Sequence, residues 1–284
     1  YISSLVTNRN VAYIPHIVLM RAAVLHKPNA PLTVETFPTP SPGAGQVLVR
    51  MVASGICHTQ LNEMKGNRGE DKYLPHLLGH EGAGIVLAVG SGVKKVVAGD
   101  HVIVSWIKGS GADAPGWQFP LNGKVINAGP VSVFADHALA PENRVTPINR
   151  AMPLPVAAII GCAVATGAGT ILNTARMKPG ETAAVFGLGG IGMSAIVAAS
   201  LVAAGKIIAV DVVPWKLERA RELGATDVIN ALDCDVVEEI MLRTHNRGVD
   251  YSIEAIGRPK TIEQSYKVVR AGGGMAIVAG NVNH

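Results

Sequence analysis

Two rhythms of apolar residues divide this chain. Up to about Gly161, short β-like runs are cut by glycine and proline. Val47-Leu48-Val49, Gly84-Ile85-Val86-Leu87-Ala88-Val89 and His101-Val102-Ile103-Val104 read as strands bounded by turn residues. From about Ala163 the runs alternate with segments of helical length. Strands are predicted at 183–186, 207–211, 227–230, 250–254 and 275–279, with helices at about 190–204, 214–223, 235–245 and 259–270. Strand and helix in alternation make βαβ units, and βαβ units build a parallel sheet. The expected organisation is an extension over 1–19, a β-rich domain over 20–162 and an α/β domain over 163–284.

One stretch imitates a membrane span. Thr182 to Gly205 is 24 residues without a charge, long enough to cross a bilayer. It also contains a strand, a glycine turn and a helix. A parallel strand buried on both faces is apolar throughout, so no membrane association is expected. Composition agrees with a folded, two-domain protein: 284 residues, 48% hydrophobic and 16% charged, which argues against disorder. The net charge of +4 comes from scattered Lys and Arg and leaves no footprint for nucleic acid. Three widely spaced cysteines do not make a disulfide framework. Free thiols in a reducing, cytoplasmic setting follow as the expectation.

Candidate chemistry sits in two places. Gly187-Leu188-Gly189-Gly190-Ile191-Gly192 is a G-x-G-x-x-G turn that follows a predicted strand and opens a predicted helix, the context that gives this pattern its meaning. Gly187 makes the tight turn, Gly189 lets the backbone approach a pyrophosphate, and Gly192 permits close helix–strand packing. Asp211 closes the second strand, 19 residues after Gly192. A carboxylate there accepts from ribose hydroxyls and repels a 2′-phosphate, which favours NAD over NADP. Asp211 could equally cap the helix that Pro214 begins. Upstream, Cys57, His80 and Cys162 lie in Gly55-Ile56-Cys57-His58-Thr59, Gly79-His80-Glu81-Gly82-Ala83-Gly84 and Gly161-Cys162. A catalytic zinc takes three such ligands and keeps a fourth position open.

These segments, with Gly90 and Thr166-Gly167, resemble the zinc-dependent medium-chain alcohol dehydrogenases from about Met20 onward. The resemblance implies a GroES-like β-barrel catalytic domain followed by a Rossmann doubly wound parallel sheet. It implies one catalytic zinc on Cys57, His80 and Cys162, NAD as cofactor and a small alcohol or aldehyde as partner substrate. By the same resemblance Thr59 takes the alcohol proton and Glu81 sits behind the metal. His58 reaches the pyrophosphate, Thr166 touches the nicotinamide ring, Lys216 lies over the adenosine ribose, and Val278, Ala279 and Gly280 line the nicotinamide side. A homodimer or homotetramer is expected of the full-length form.

Several residues depart from the family pattern. Gln60 stands where an Asp usually bonds the zinc-bound histidine, and a neutral amide adds no charge there. Asn62 stands where many members end the proton relay with a histidine. Residues 106–117 carry no cysteine, so the four-cysteine lobe that holds a structural zinc is missing, as in a class III-like branch without that lobe. Cys234 is read as structural, His76 as a loop residue and His101 as an exposed strand start. Residues 1–19, with no acidic residue and little arginine, are expected to be disordered or artefactual, as upstream translated sequence rather than a transit peptide.

A doubly wound sheet has six strands, and five are read before His284, so the Rossmann domain is expected to be incomplete. A C-terminally truncated chain, with the strand at 275–279 left as an edge and slow turnover, is the corresponding expectation. Three rival functions remain open at this point. Oxidation of a glutathione adduct is the narrower one. A zinc- and nucleotide-binding fragment without turnover is the one from another class. A zinc-independent quinone reductase is disfavoured, because that branch lacks the ligand cysteines.

Overall fold

The computed structural model describes residues 18–121 and 123–280. Of the expected extension, residues 1–17 lie outside the described residues, and the first strand already starts at Leu19. Period-two burial explains why that strand forms: Met20, Ala22 and Val24 are buried while Leu19 and Arg21 face solvent.

The first part of the chain folds as β1 (Leu19–Leu25), β2 (Thr33–Pro38), β3 (Gln46–Ser54), helix α1 (His58–Met64), β4 (His76–Leu77), β5 (Glu81–Val89) and β6 (His101–Ser105). It continues with β7 (Trp117–Leu121), β8 (Lys124–Gly129), β9 (His137–Pro141) and β10 (Val145–Pro147). Two curled five-stranded sheets result, in the orders β2-β1-β4-β8-β7 and β10-β6-β5-β3-β9. Pairing is antiparallel except between β4 and β8. The expected GroES-like β-barrel domain is thus built as two curled sheets, a half-barrel. Met20, Phe37, Phe119 and Ile126 fill the core of the first sheet, and Val49, Val86, Val104 and Ala138 that of the second. His76, expected in a loop, is in β4, and its Nε2 lies 2.8 Å from Asp71 Oδ2.

A helical passage follows, with α2 (Leu154–Ala157), a 3-10 turn at Ala158–Gly161, α3 (Ala163–Gly169) and a π-helical turn at Thr170–Ala175. Beyond it come β11 (Thr182–Phe186), α4 (Gly190–Leu201), β12 (Lys206–Asp211), α5 (Pro214–Glu222) and β13 (Asp227–Asn230). Helix α6 (Val236–Arg243), β14 (Tyr251–Glu254), α7 (Pro259–Lys267) and β15 (Met275–Val278) complete the described chain.

All four pairings are parallel and the order is β13-β12-β11-β14-β15. That is the 3-2-1-4-5 part of a doubly wound sheet, reached from the strand–helix alternation alone. One face buries Val185, Ile196, Ile207 and Ile253, the other Phe186, Ile208, Ile229 and Ile240. Covering on both faces makes the uncharged run at 182–205 a strand and a core helix. Among the described residues no single helix is long and apolar enough to cross a membrane. Helix starts follow their local chemistry: Pro214 and Pro259 take first-turn positions. The Asp235 carboxylate caps α6 by accepting from Val237 and Glu238 at 2.8 and 3.0 Å.

Candidate active site

Three turns bring the candidate ligands together. Cys57 is the N-cap of α1, reached from β3 through Gly55, where a Cβ would stand 2.5 Å from Glu81 Oε1. A larger residue there would displace the Glu81 side chain. His80 leads directly into β5, after Gly79 at φ +93°, where a Cβ would meet Phe134 N at 2.8 Å. Cys162 sits between the 3-10 turn and α3. The Sγ atoms of Cys57 and Cys162 and one ring nitrogen of His80 lie within 4.8 Å of one another.

The donors fit zinc. Sulfur bound at about 2.3 Å on a tetrahedral ion sets the two thiolates about 3.8 Å apart, so only small side-chain rotations are needed. His80 Nδ1 is 2.5 Å from Gln60 Nε2, which leaves Nε2 to the sulfurs. That Nε2 is buried and has no hydrogen-bond partner among the described residues, which suits a nitrogen that would serve as a metal ligand. Cys162 and then His80 hold the Cys57 thiol far below its ordinary value, while Cys57 and burial push the Cys162 thiol up. A metal binds cysteine as thiolate, so loading would release the thiol protons.

Around the triad, Cys57 Sγ lies 3.7 Å from the Thr59 hydroxyl. Glu81 is 3% exposed, accepts from the Ala163 N–H at 3.3 Å, and has its carboxyl pushed up by burial. His58, in the first turn of α1, is exposed, and Asn62 is buried in the same helix. A cavity of about 670 Å³ is lined by Gln60 and His80 but by neither cysteine nor Thr59. His101 is not an exposed strand start: it is half-buried, and its Nδ1 is enclosed. Cys234 is exposed and lies apart from the triad.

The glycine-rich turn has the geometry of a phosphate cradle. Gly187 has φ +89°, and its N–H donates to Val210 O at 2.8 Å. A Cβ on Gly192 would lie 1.9 Å from Gly187 O, so the turn and α4 pack at glycine distance. Above Gly189 nothing lies within 4 Å, and the first N–H groups of α4, at Gly190, Ile191 and Gly192, have no partner within the helix. An anion fits that open, positive helix end.

Asp211, 9% exposed, does more than close β12. Its carboxylate accepts from Leu188 N–H at 2.7 Å, Val212 N–H at 2.8 Å and Val213 N–H at 3.0 Å. It thereby ties the second strand to the glycine turn. The N-cap of α5 is Val213, so the capping alternative for Asp211 does not hold. Lys216 Nζ stands 4.0 Å from Asp211 Oδ2.

Thr166 lies one turn into α3, its N–H donating to Cys162 O at 2.9 Å. Ala279 and Gly280 donate to Glu254 O at 2.7 and 2.9 Å, and Val278 is exposed at the end of β15.

Two neighbours of the site went unassigned in the sequence. The Trp106 N–H donates to His80 O at 3.0 Å, and its half-exposed indole lies beside Cys162. A Trp at the end of a β-strand was the available signal. Glu254 is fully buried and accepts from the Ile256 N–H at 3.0 Å, the Gly257 N–H at 2.9 Å and the Thr261 hydroxyl at 2.7 Å, fixing the loop after β14. An acidic residue closing a predicted apolar strand was its signal.

Comparison with known proteins gives the same architecture. The family model described as "Alcohol dehydrogenase GroES-like domain" matches residues 43–150, and "Zinc-binding dehydrogenase" matches residues 190–284. An S-(hydroxymethyl)glutathione dehydrogenase from Synechocystis sp. is 34% identical over 286 aligned positions, covering 92% of this chain and 77% of that protein. An alcohol dehydrogenase zinc-binding domain protein from Burkholderia ambifaria superposes with a TM-score of 0.83 at 35% identity, over 94% of this chain and 78% of the other. Benzyl alcohol dehydrogenase from Acinetobacter calcoaceticus gives a TM-score of 0.83 at 31% identity, over 94% and 78%.

Proposed function

The chain belongs to the zinc-dependent medium-chain alcohol dehydrogenase family, and from that premise we propose that it oxidises a primary or secondary alcohol with NAD, or reduces the corresponding aldehyde or ketone. The observation that carries this reading is the meeting of Cys57, His80 and Cys162 around a buried, partnerless Nε2. We assign the metal ligands to the region 20–162 and the cofactor to 163–284. When bound, zinc supplies Lewis-acid polarisation of the alcohol oxygen and NAD supplies the hydride acceptor.

The chain's own residues do the rest. Thr59, the hydroxyl beside Cys57 Sγ, takes the alcohol proton, and exposed His58 hands it to solvent, since buried Asn62 cannot titrate. Glu81 stands behind the ligand shell, its carboxylate held by the Ala163 N–H. The turn Gly187, Leu188, Gly189, Gly190, Ile191 and Gly192 holds the pyrophosphate at the head of α4. Asp211 and Lys216 take the adenosine ribose, while Thr166 and the Val278–Gly280 segment face the nicotinamide. Free Cys57 and Cys162 thiols suit a reducing, cytoplasmic setting, and the working assembly is a homodimer or homotetramer.

A second substrate reading is favoured by one observation. The 34% identical relative acts, by its name, on S-(hydroxymethyl)glutathione. A spectrophotometric screen following NADH with primary, secondary and aromatic alcohols, and with formaldehyde plus glutathione, separates the two. NADH formation with simple alcohols and none with the adduct supports the first reading. Activity confined to the adduct selects the second. Zinc-loaded protein that turns over none of them removes both.

A further inference from the structure

We infer that Gln60 holds His80 in the tautomer that opposes zinc, so that metal loading meets a donor–donor contact which a carboxylate at position 60 would relieve. The inference rests on the zinc reading of Cys57, His80 and Cys162 above. Gln60 is 2% exposed and touches two ligand residues at once. Its Oε1 accepts from the Cys57 N–H at 3.0 Å, and its Nε2 lies 2.5 Å from His80 Nδ1.

The direction of the amide follows from the backbone. A peptide N–H is always a donor, so the atom of Gln60 that faces Cys57 must be the oxygen. The NH2 group is then turned to His80 Nδ1 and also donates. A neutral imidazole has one proton, and if Nδ1 accepts, that proton is on Nε2. Nε2 is the enclosed nitrogen left to the sulfurs.

Zinc needs the opposite arrangement. A histidine ligand offers the lone pair of a neutral ring, which moves the proton to Nδ1. Nδ1–H then points at the NH2 of Gln60. Turning the amide over does not help, because the NH2 would then face the Cys57 N–H. As the amide is placed, its oxygen serves the Cys57 N–H and its NH2 faces His80 Nδ1, so it does not accept from both ligand residues. A carboxylate can, since it has no proton to present. Gln60 is thus a positioning residue that fixes the ring's direction while opposing its loaded tautomer.

The test compares zinc affinity of the full chain and of its Gln60→Glu variant, by competition with a chromophoric chelator. Outer partners of ligating histidines change metal affinity by about 10–100-fold, so Gln60→Glu is expected to bind zinc at least about tenfold more tightly. Equal or weaker binding by Gln60→Glu, with the parent holding one zinc per chain, overturns the inference and leaves the zinc reading intact. No zinc bound by either protein overturns the zinc reading itself. A second measurement uses the parent alone: 15N-histidine NMR of zinc-stripped protein, with the His80 signal identified by its loss in His80→Ala. The expected spectrum shows Nε2 protonated, shifting to Nδ1 protonated on adding zinc. Nδ1 protonated before zinc is added overturns the inference.

Discussion

Replacing Asp211 by Asn separates its two jobs. The carboxylate is 9% exposed, carries three backbone N–H bonds and has Lys216 Nζ 4.0 Å away. For a 2′-phosphate about 5 Å from it, an effective dielectric near 20 gives about 3 kcal/mol of repulsion for each unit of phosphate charge. Lys216 attracts the same phosphate and offsets much of this, leaving a net preference for NAD of about 1–3 kcal/mol, or about 5–150-fold. Asn removes the charge and leaves Lys216 unopposed, so the NAD:NADP ratio should fall to about threefold or less by that balance. It also sets an amide NH2 either against the Leu188 N–H or against both the Val212 and Val213 N–H groups. If it faces the Leu188 N–H, the glycine turn loosens, and NAD itself should bind about 1–3 kcal/mol more weakly. Isothermal titration calorimetry with NAD, NADP and ADP-ribose reads both effects. Equal NAD and NADP affinities in the parent, or an unchanged ratio in Asp211→Asn, would refute the reasoning.

Metal analysis should find one zinc per chain, with Cys57→Ala and Cys162→Ala losing both metal and activity; full occupancy in Cys162→Ala would falsify that ligand set. Thr59→Ala should slow turnover by about 10²-fold with zinc content unchanged, and Thr59→Ser should be tolerated; parent-like rates in Thr59→Ala would move the proton path to His58. Glu142 predicts an acid-sensitive fold. It is 3% exposed and accepts from the Ala112, Lys94 and Lys95 N–H groups at 2.6, 2.5 and 2.6 Å, and the Ala112 bond leads in holding its carboxyl below the usual value. Its stabilisation is therefore complete above the unfolded carboxyl value and is lost as pH falls through the lower folded one. Glu142→Gln should cost about 3 kcal/mol in urea unfolding at pH 7, and the gap to the parent should close at low pH. A loss independent of pH would assign the effect to packing.

How much of this was legible depended on how local the physics was. The alternation of strands and helices gave the parallel sheet and its order, because each βαβ unit is decided within about 30 residues. Cys57, His80 and Cys162 were found by residue type and glycine context, and the glycine turn by its place between strand and helix. What was missed depends on contacts between distant segments. His76 was read as a loop residue because two-residue β4 has no period to detect; its pairing with β1 makes it a strand. Asp211 was weighed as a helix cap, and nothing in its neighbourhood announced Leu188, 23 positions away. The conflict at Gln60 needed the direction of one backbone N–H, which no pattern of residue types contains.

Buried carboxylates that accept from several backbone N–H groups link these observations. Glu142 joins the 94–95 turn to the cysteine-free lobe at 106–117, Asp211 joins β12 to the glycine turn, and Glu254 holds the loop after β14. Each carboxylate is anchored on an element end, and most of its partners are backbone amides of an adjoining turn or loop. A loop fixed in this way needs no core of its own and no metal. In the segment 106–117 the Ala112 N–H is held by Glu142, and Gly111 at φ +113° lets the loop approach until a Cβ would lie 2.8 Å from Glu142 Cγ. A charged acceptor is worth more to a buried N–H than a neutral one, which is why all three are acids. Gln60 is the exception that defines the rule. It occupies the same kind of place, between a backbone N–H and a ligand histidine, with a neutral amide whose oxygen faces only the first.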